Sequence, residues 1–230
     1  MKALLLAAGI GTRLRPVTNK IPKCLAQIHD KPLLEYWLNL LLPNGVDRIL
    51  VNTHYLPDAV HDFVCKSPWK ERIDLVYEDK LLGTGGTAVA NKAYFENNSF
   101  LIAHADNLTR FEPTAFINSH VNRSSDVCIT MMTFETDSPE SCGIVELNKQ
   151  GIVTAFHEKK ENPPSRLASA AVYIFEPEVL DFMASLNLEE FDISVDVIPN
   201  FIGRIQTFYN SDYHRDIGSP ESLRLANLEF

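Results

Sequence analysis

The first half of the chain alternates between continuously apolar stretches and stretches with helical spacing. The apolar stretches predict five buried β-strands, at 3–8, 48–53, 73–78, 100–105 and 126–132. Between them lie four segments typical of helices, at 32–45, 57–66, 85–95 and 113–121. Apolar strands separated by helices indicate parallel strands covered on both faces. We therefore expect an α/β fold with a Rossmann-like, mixed but mostly parallel sheet flanked by helices.

The pattern changes after about residue 135. Three strand-like segments then follow one another through tight turns, at 143–148, 151–159 and 168–176. Their short connections predict a smaller antiparallel part. Two helical segments, a strand and a final helix complete the chain, at 177–186, 194–202, 204–210 and 218–227. Because no internal repeat or long linker divides the sequence, we expect a single domain over residues 1–230.

Composition and charge exclude several classes of protein. The chain has 230 residues and a formal net charge of −9, which argues against nucleic acid or an anionic membrane surface as a partner. No apolar run approaches the roughly 18 residues that span a bilayer. The apolar residues after Lys2 are few for a signal peptide and run directly into GTRLR, which favours a buried strand. Four scattered cysteines without a CxxC motif indicate reduced thiols and a cytoplasmic protein.

Charge is distributed unevenly along this acidic chain. The first acidic residue is Asp30, whereas residues 1–29 contain five cationic side chains: Lys2, Arg13, Arg15, Lys20 and Lys23. A local cationic block in an acidic protein predicts a site for a small anion. The alternative is a solvated basic loop.

The segment that carries these cations has the parts of a phosphate site. Gly9 and Gly11 permit a tight turn and a close approach of backbone N–H groups to a polyphosphate. Arg13 offers a fork of donors, and Lys23 offers a mobile point charge. The spacing is not that of a Walker A loop, and Leu14 occupies the third glycine position of the dinucleotide fingerprint.

Residues 6–25, LAAGIGTRLRPVTNKIPKCL, match a longer pattern. They resemble the signature LAAGxGTRLxPLTxxxPKxL of the sugar-1-phosphate nucleotidylyltransferases, or nucleotide-sugar pyrophosphorylases, and depart from it only at Val17. The resemblance implies that this loop wraps a nucleoside triphosphate and that Arg13 and Lys23 are catalytic, neutralising charge on the phosphates. It further implies nucleotide contacts from Leu6, Ala7, Ala8, Gly9, Gly11, Thr12 and Arg13.

Further segments extend the resemblance into the middle and the end of the chain. EDKLLGTGGT, residues 78–87, is similar to the family element ExxxLGTxG, in which a glycine-rich turn lies against the base. This similarity implies nucleotide contacts from Glu78, Gly83, Thr84 and Gly86. LIAHADN and HRDIGSPES are similar to the two segments whose aspartates hold Mg²⁺, with Ala105 and His214 in place of a family glycine and tryptophan. The aspartates at these positions are Asp106 and Asp216.

Two segments of the second half resemble the part of the family that binds the sugar phosphate. FHEKKE, residues 156–161, parallels FxEKP and places Glu158 and Lys159 near the sugar and its phosphate. LASAAVYIF, residues 167–175, has Ser169 and Ala171 where the family usually has asparagine and glycine. The resemblance therefore predicts that residues 1–135 mainly bind nucleotide and residues 136–230 mainly bind sugar phosphate, and the departures leave the sugar open.

The resemblance predicts a Mg²⁺-dependent enzyme that joins a nucleoside triphosphate to a sugar 1-phosphate and releases pyrophosphate. The LLGTGG turn with Glu78 favours GTP, with mannose 1-phosphate or a manno-heptose 1-phosphate as the acceptor. The alternative is uridylyl, thymidylyl or cytidylyl transfer to another sugar 1-phosphate or to a phospho-alcohol. A further alternative is a catalytically silent sensor of the same fold. The sequence leaves the oligomeric state open, with a homo-oligomer as one option.

Overall fold

The computed structural model describes all 230 residues, which form thirteen strands and six α-helices joined by short 3₁₀ turns. The strands are β1 Lys2–Leu6, β2 Gln27–Ile28, β3 Lys31–Pro32, β4 Arg48–Thr53, β5 Ile73–Tyr77, β6 Phe100–His104, β7 Asn107–Arg110, β8 Ile129–Glu135, β9 Gly143–Leu147, β10 Val153–Glu158, β11 Leu167–Phe175, β12 Ile205–Tyr209 and β13 Tyr213–Asp216. The helices are α1 Leu33–Leu41, α2 Pro57–Lys66, α3 Gly83–Ala90, α4 Pro113–Val121, α5 Pro177–Ser185 and α6 Pro220–Glu229.

The chain forms two compact units that interleave along the sequence. Unit 1 comprises Met1–Leu81, Ala103–Pro113 and Asp212–Phe230, and unit 2 comprises Leu82–Ile102 and Thr114–Ser211. The sequence analysis divided the chain once, near residue 135, whereas each of these units is assembled from separate segments. The ligand assigned to each half stays a prediction.

Unit 1 is built on parallel strands. β4 pairs in parallel with β1 on one side and with β5 on the other, so the carboxyl ends of these strands lie at one edge. The three central side chains of β1 and all but the first of β4 are buried, as expected for mainly apolar parallel strands that a helix separates along the chain. Two small antiparallel pairs, β2 with β3 and β7 with β13, complete the unit.

Unit 2 is mainly antiparallel. β9 and β10 form a hairpin, and β11 pairs antiparallel with both β9 and β8. β12 pairs in parallel with β8. The pairing of β11 with β8 is irregular between Ser169 and Tyr173, where Ala171 adopts a left-handed backbone with φ of 52°.

The predicted α/β class with a mostly parallel sheet and a smaller antiparallel part is confirmed. Two predictions on individual elements were wrong, and two strands were missed. The strand predicted at 126–132 begins three residues later and joins the antiparallel part of unit 2. The helix predicted at 194–202 is a short π-helical turn followed by a 3₁₀ turn, with Pro199 inside the second. Strands β7 and β13 were not predicted.

No helix combines the length and the apolar character that a bilayer crossing requires.

Candidate active site

The antiparallel pairing of β7 with β13 brings two distant aspartates together. Asp106 immediately precedes β7 and Asp216 ends β13, and the register places Asn107 opposite Asp216. The Ile217 N–H also donates to the Asp106 carbonyl at 3.1 Å, which joins the two segments through the backbone. The two carboxylates predicted to bind metal are therefore neighbours.

The ammonium of Lys23 lies between these carboxylates. Its Nζ is 2.6 Å from Asp106 Oδ2 and 3.1 Å from Asp216 Oδ1, and the residue is only 6% exposed. Burial disfavours the charged amine, but the two carboxylates outweigh burial and raise the pKa of Lys23. Burial likewise disfavours ionisation of Asp106, but Lys23, His104 and a backbone hydrogen bond together outweigh burial and lower the pKa of that carboxyl. The cluster is thus an ion triad held by mutual charge compensation.

Arg13 extends this cluster towards solvent. Its side chain is 78% exposed, and one guanidinium nitrogen lies 4.0 Å from Asp216 Oδ2. Gly218 leaves the space that this arrangement needs, because a Cβ there would stand 2.5 Å from Asp216 Oδ2 and 3.3 Å from the Arg13 guanidinium. An exposed guanidinium next to a buried ammonium suits a ligand that carries several phosphates.

The loop after β1 leads into this cluster. Gly11 has a φ of 67°, and a Cβ there would stand 2.9 Å from the Thr18 side chain and 3.1 Å from that of Lys23. Gly9 differs, since a Cβ at this position would meet nothing within 4 Å. Folding therefore requires Gly11, whereas the open space at Gly9 is consistent with a backbone that a ligand approaches closely.

The Ala7 N–H at the start of this loop is held by a residue that sequence reasoning missed. It donates to Asn52 Oδ1 at 2.7 Å, and Asn52 Nδ2 donates to Glu78 Oε1 at 3.0 Å. Glu78, predicted to contact nucleotide, is itself buried. Because Leu6 is the register partner of Asn52, the link follows from the parallel pairing of β1 with β4. In the sequence, the asparagine at the end of the apolar β4 stretch was the feature that could have indicated this residue.

In unit 2, the glycine-rich turn packs against residues 189–193. A Cβ at Gly83, where φ is 72°, would stand 2.5 Å from the Phe191 carbonyl oxygen, and a Cβ at Gly86 would collide with the Glu189 carbonyl. The Thr84 hydroxyl donates to Asp192 Oδ1 at 3.1 Å at the start of α3. Close approach of two chain segments therefore accounts for these glycines within unit 2, and their predicted contact with nucleotide stays a prediction.

The residues predicted to bind the sugar phosphate also lie in unit 2. Lys159 is exposed and lies 3.3 Å from Glu158 Oε1. Ser169 Oγ lies 2.9 Å from the Tyr173 hydroxyl and accepts the Ala171 N–H at 3.3 Å. Burial, with a contribution from Glu158, raises the pKa of Tyr173 to about 12. Tyr173 is therefore the side-chain partner of Ser169, and sequence analysis had not selected it.

The donor set of unit 1 fits a magnesium ion shared with a ligand. Two carboxylates already converge on one cation, the Lys23 ammonium, and carboxylate oxygens are the donors that Mg²⁺ prefers. No group of three or more His, Cys, Asp or Glu side chains is placed to hold a metal alone. Mg²⁺ commonly uses one or two carboxylates and completes its shell with substrate phosphates and water.

Two curated proteins are similar to this chain over nearly its whole length. A UTP–glucose-1-phosphate uridylyltransferase from Synechocystis is 30% identical over 95% of this chain and 60% of its own length. A mannose-1-phosphate guanylyltransferase from Mycobacterium tuberculosis is 29% identical over 96% of this chain and 62% of its own length. The chain thus spans about 60% of the length of these curated relatives.

Solved structures share the fold over almost the whole chain. A structure from Bacillus anthracis superposes with a TM-score of 0.89 at 21% identity, covering 99% of this chain and 94% of that one. HddC from Yersinia pseudotuberculosis, in complex with GMP-PN, superposes with a TM-score of 0.83 at 26% identity, covering 100% and 99%. The family model described as nucleotidyl transferase matches residues 2–230. The chain therefore belongs to the nucleotidyl transferase family.

Proposed function

We propose that this chain is a sugar-1-phosphate nucleotidylyltransferase, which transfers a nucleoside monophosphate from a nucleoside triphosphate to a sugar 1-phosphate and releases pyrophosphate. One observation carries the proposal: Lys23 joins Asp106 and Asp216 in a single cluster, reached from the glycine loop after β1. The similarity to relatives named for uridylyl and guanylyl transfer to sugar 1-phosphates supports the same reaction class.

The reaction brings two anions together, so positioning and charge neutralisation must provide most of the catalysis. An oxygen of the sugar phosphate attacks the α-phosphorus, a new O–P bond forms, and the bond to the pyrophosphate oxygen breaks. Lys23 and the exposed Arg13 would neutralise phosphate oxygens during this exchange. Since the attacking oxygen is already anionic, no general base is needed. The two aspartates hold the Lys23 ammonium in place before substrates bind.

Mg²⁺ is the proposed cofactor, with Asp106 and Asp216 as its protein ligands. When bound, it would neutralise phosphate charge as a Lewis acid. Asp106 and Asp216 would hold the ion, and Lys23, which contacts both carboxylates, would neutralise phosphate oxygens at the same place.

For the nucleotide we propose GTP. The complex of HddC with GMP-PN and the relatives named as mannose-1-phosphate guanylyltransferases support this choice. The relative named for uridylyl transfer keeps UTP as the second candidate. For the acceptor we propose mannose 1-phosphate or a manno-heptose 1-phosphate.

For the localisation we propose the cytoplasm, because the four cysteines are free and a reducing compartment keeps thiols reduced.

The test is a matrix of four nucleoside triphosphates against several sugar 1-phosphates, with Mg²⁺, assayed for pyrophosphate. We expect the fastest release with GTP and a manno-configured sugar 1-phosphate. Lys23→Ala and Asp106→Ala should abolish release, whereas Lys20→Ala, at an exposed lysine of the same segment, is the matched control. A folded wild-type protein that releases no pyrophosphate with any pair would refute the proposal and favour a silent sensor.

A further inference from the structure

We propose that Asn52 is a positioning residue for nucleotide binding. Its buried amide would hold the Ala7 N–H of the nucleotide loop and the Glu78 carboxylate in one fixed arrangement. This inference rests on the proposed function, because it takes the loop after β1 as the nucleotide loop. It assigns a role to a residue that no motif selected.

The contacts form a short, buried chain. Ala7 N–H donates to Asn52 Oδ1 at 2.7 Å, and Asn52 Nδ2 donates to Glu78 Oε1 at 3.0 Å. Asn52 is 2% exposed, and Ala7 and Glu78 are buried as well. Water therefore competes little with these hydrogen bonds, and losing one would leave a buried polar group unsatisfied.

Chemistry dictates the orientation of the Asn52 amide. A backbone N–H can only donate, so the amide oxygen must face Ala7, and the amide nitrogen then faces a carboxylate, which accepts. No other uncharged side chain of this size offers one acceptor and one donor on the same rigid plane. Asparagine therefore specifies the positions of both neighbours at once.

The residues around Asn52 reinforce this arrangement. The Glu78 N–H donates to the Thr53 carbonyl at 2.8 Å, and His54 Nδ1 donates to the Glu78 carbonyl at 2.8 Å. The carboxyl end of β4 thus fixes the backbone of Glu78, and Asn52 fixes its side chain. Both ends of this link are places where the nucleotide is expected to bind.

A purely structural asparagine would lower stability without affecting one substrate selectively. The decisive variant is therefore Asn52→Asp. It keeps the size of the side chain and the oxygen that accepts the Ala7 N–H, but it replaces the NH₂ group that donates to Glu78 with a second carboxylate oxygen. We expect the KM for the nucleoside triphosphate to rise about tenfold, the scale of one buried hydrogen bond. The KM for the sugar 1-phosphate should change less than about twofold, and kcat should fall less than the KM rises.

The double variant Asn52→Asp/Glu78→Gln reverses the polarity of the pair, because the glutamine amide can donate to the new carboxylate. It should return the nucleotide KM to within about threefold of Glu78→Gln alone, which is the reference because Glu78 is itself expected to contact the nucleotide. If Asn52→Asp does not fold, the double variant and Glu78→Gln still test the pair. Asn210→Asp, at a buried asparagine in unit 2, is the control: it should lower Tm and leave the nucleotide KM unchanged.

Unchanged nucleotide KM in Asn52→Asp would overturn the inference, as would an equal rise for both substrates. A double variant that binds nucleotide much more weakly than Glu78→Gln alone would also overturn it, since the two side chains would then act independently. These outcomes differ from a failure of the proposed function. In that case the wild-type protein itself releases no pyrophosphate with any substrate pair.

Discussion

Replacing Lys23 by methionine removes the charge at the centre of the triad and keeps the size of the side chain. The two carboxylates then face each other without the buried ammonium, and the exposed Arg13 guanidinium, 4.0 Å from Asp216 Oδ2, compensates them weakly. Breaking a buried ion pair on one side costs about 3–5 kcal/mol. The side chains of Asp106 and Asp216 are 30% and 53% exposed, so water relieves part of this repulsion and the expected loss is about 1–3 kcal/mol. For a chain of this size, that loss lowers Tm by roughly 3–10 °C.

Thermal unfolding with and without Mg²⁺ measures the effect. In the Lys23→Met variant, Mg²⁺ can neutralise the carboxylates without displacing an ammonium, so it should raise Tm more than in wild type. Turnover should nevertheless fall at least about 100-fold, because an electrostatic contact to phosphate is lost. Lys20→Met is the control and should match wild type. Near wild-type turnover, or a Tm without Mg²⁺ equal to that of wild type, would refute the role assigned to the triad.

The same variant has a defined pH dependence. The folded-state pKa of Asp106 lies below the ordinary value of 3.8: burial raises it, but Lys23, with smaller contributions from His104 and a backbone hydrogen bond, outweighs burial. The ion pair therefore contributes its full stability above about pH 4 and loses it as the pH falls through the lowered pKa. The difference in Tm between wild type and Lys23→Met should be constant near neutral pH. It should shrink as the pH falls, first through the pKa of the variant's Asp106, which burial raises once the ammonium is gone, and then through the lowered pKa of Asp106 in wild type. A difference that stays constant down to acid pH would contradict the assignment.

Three further predictions concern the supporting structure. Gly83→Ala should lower stability by at least about 1 kcal/mol, because Gly83 has a positive φ and lies next to the Phe191 carbonyl. Gly9→Ala should instead keep Tm and raise the nucleotide KM, because a Cβ there meets no protein atom. Equal losses of Tm in the two variants would contradict this. Burial lowers the pKa of His120, so its contribution to stability should be lost as the pH falls below about 6.5, and His120→Gln should flatten this dependence in thermal melts. Ala171→Gly should raise stability by about 0.5–1 kcal/mol by relieving a left-handed alanine, and a lower Tm would refute it.

The apolar pattern predicted the elements that bury a continuous surface. β4, α2 and α4 begin and end at the predicted residues, because an apolar stretch or a proline at the first helical turn marks each boundary in the sequence itself. The hairpin of β9 and β10 followed from its turn in the same way. These are local signals, and they do not depend on which segments meet in the fold.

The elements that complete the site depend on pairing between distant segments. β7 and β13 are four residues long, with partly polar sequences, and each is a strand only because the other lies beside it. Motif spacing selected Asp106 and Asp216, but it could not indicate that Lys23 lies between them. Asn52 escaped notice for the same reason, since its partners Ala7 and Glu78 are distant in sequence.

The core of unit 1 explains how distant segments can hold charged groups so closely. Leu14 follows Arg13, Ile217 follows Asp216, and both are fully buried in one apolar cluster, together with Ala26, Ile28, Leu33, Leu108 and Ala226. Each site segment therefore places an anchor in a common core within a few residues of its charged side chain. Packing at interior density leaves these anchors little freedom, so the charges they carry are positioned before any ligand binds. Because α6 contributes Ala226 to this cluster, the last helix supports the site although it carries none of the predicted site residues.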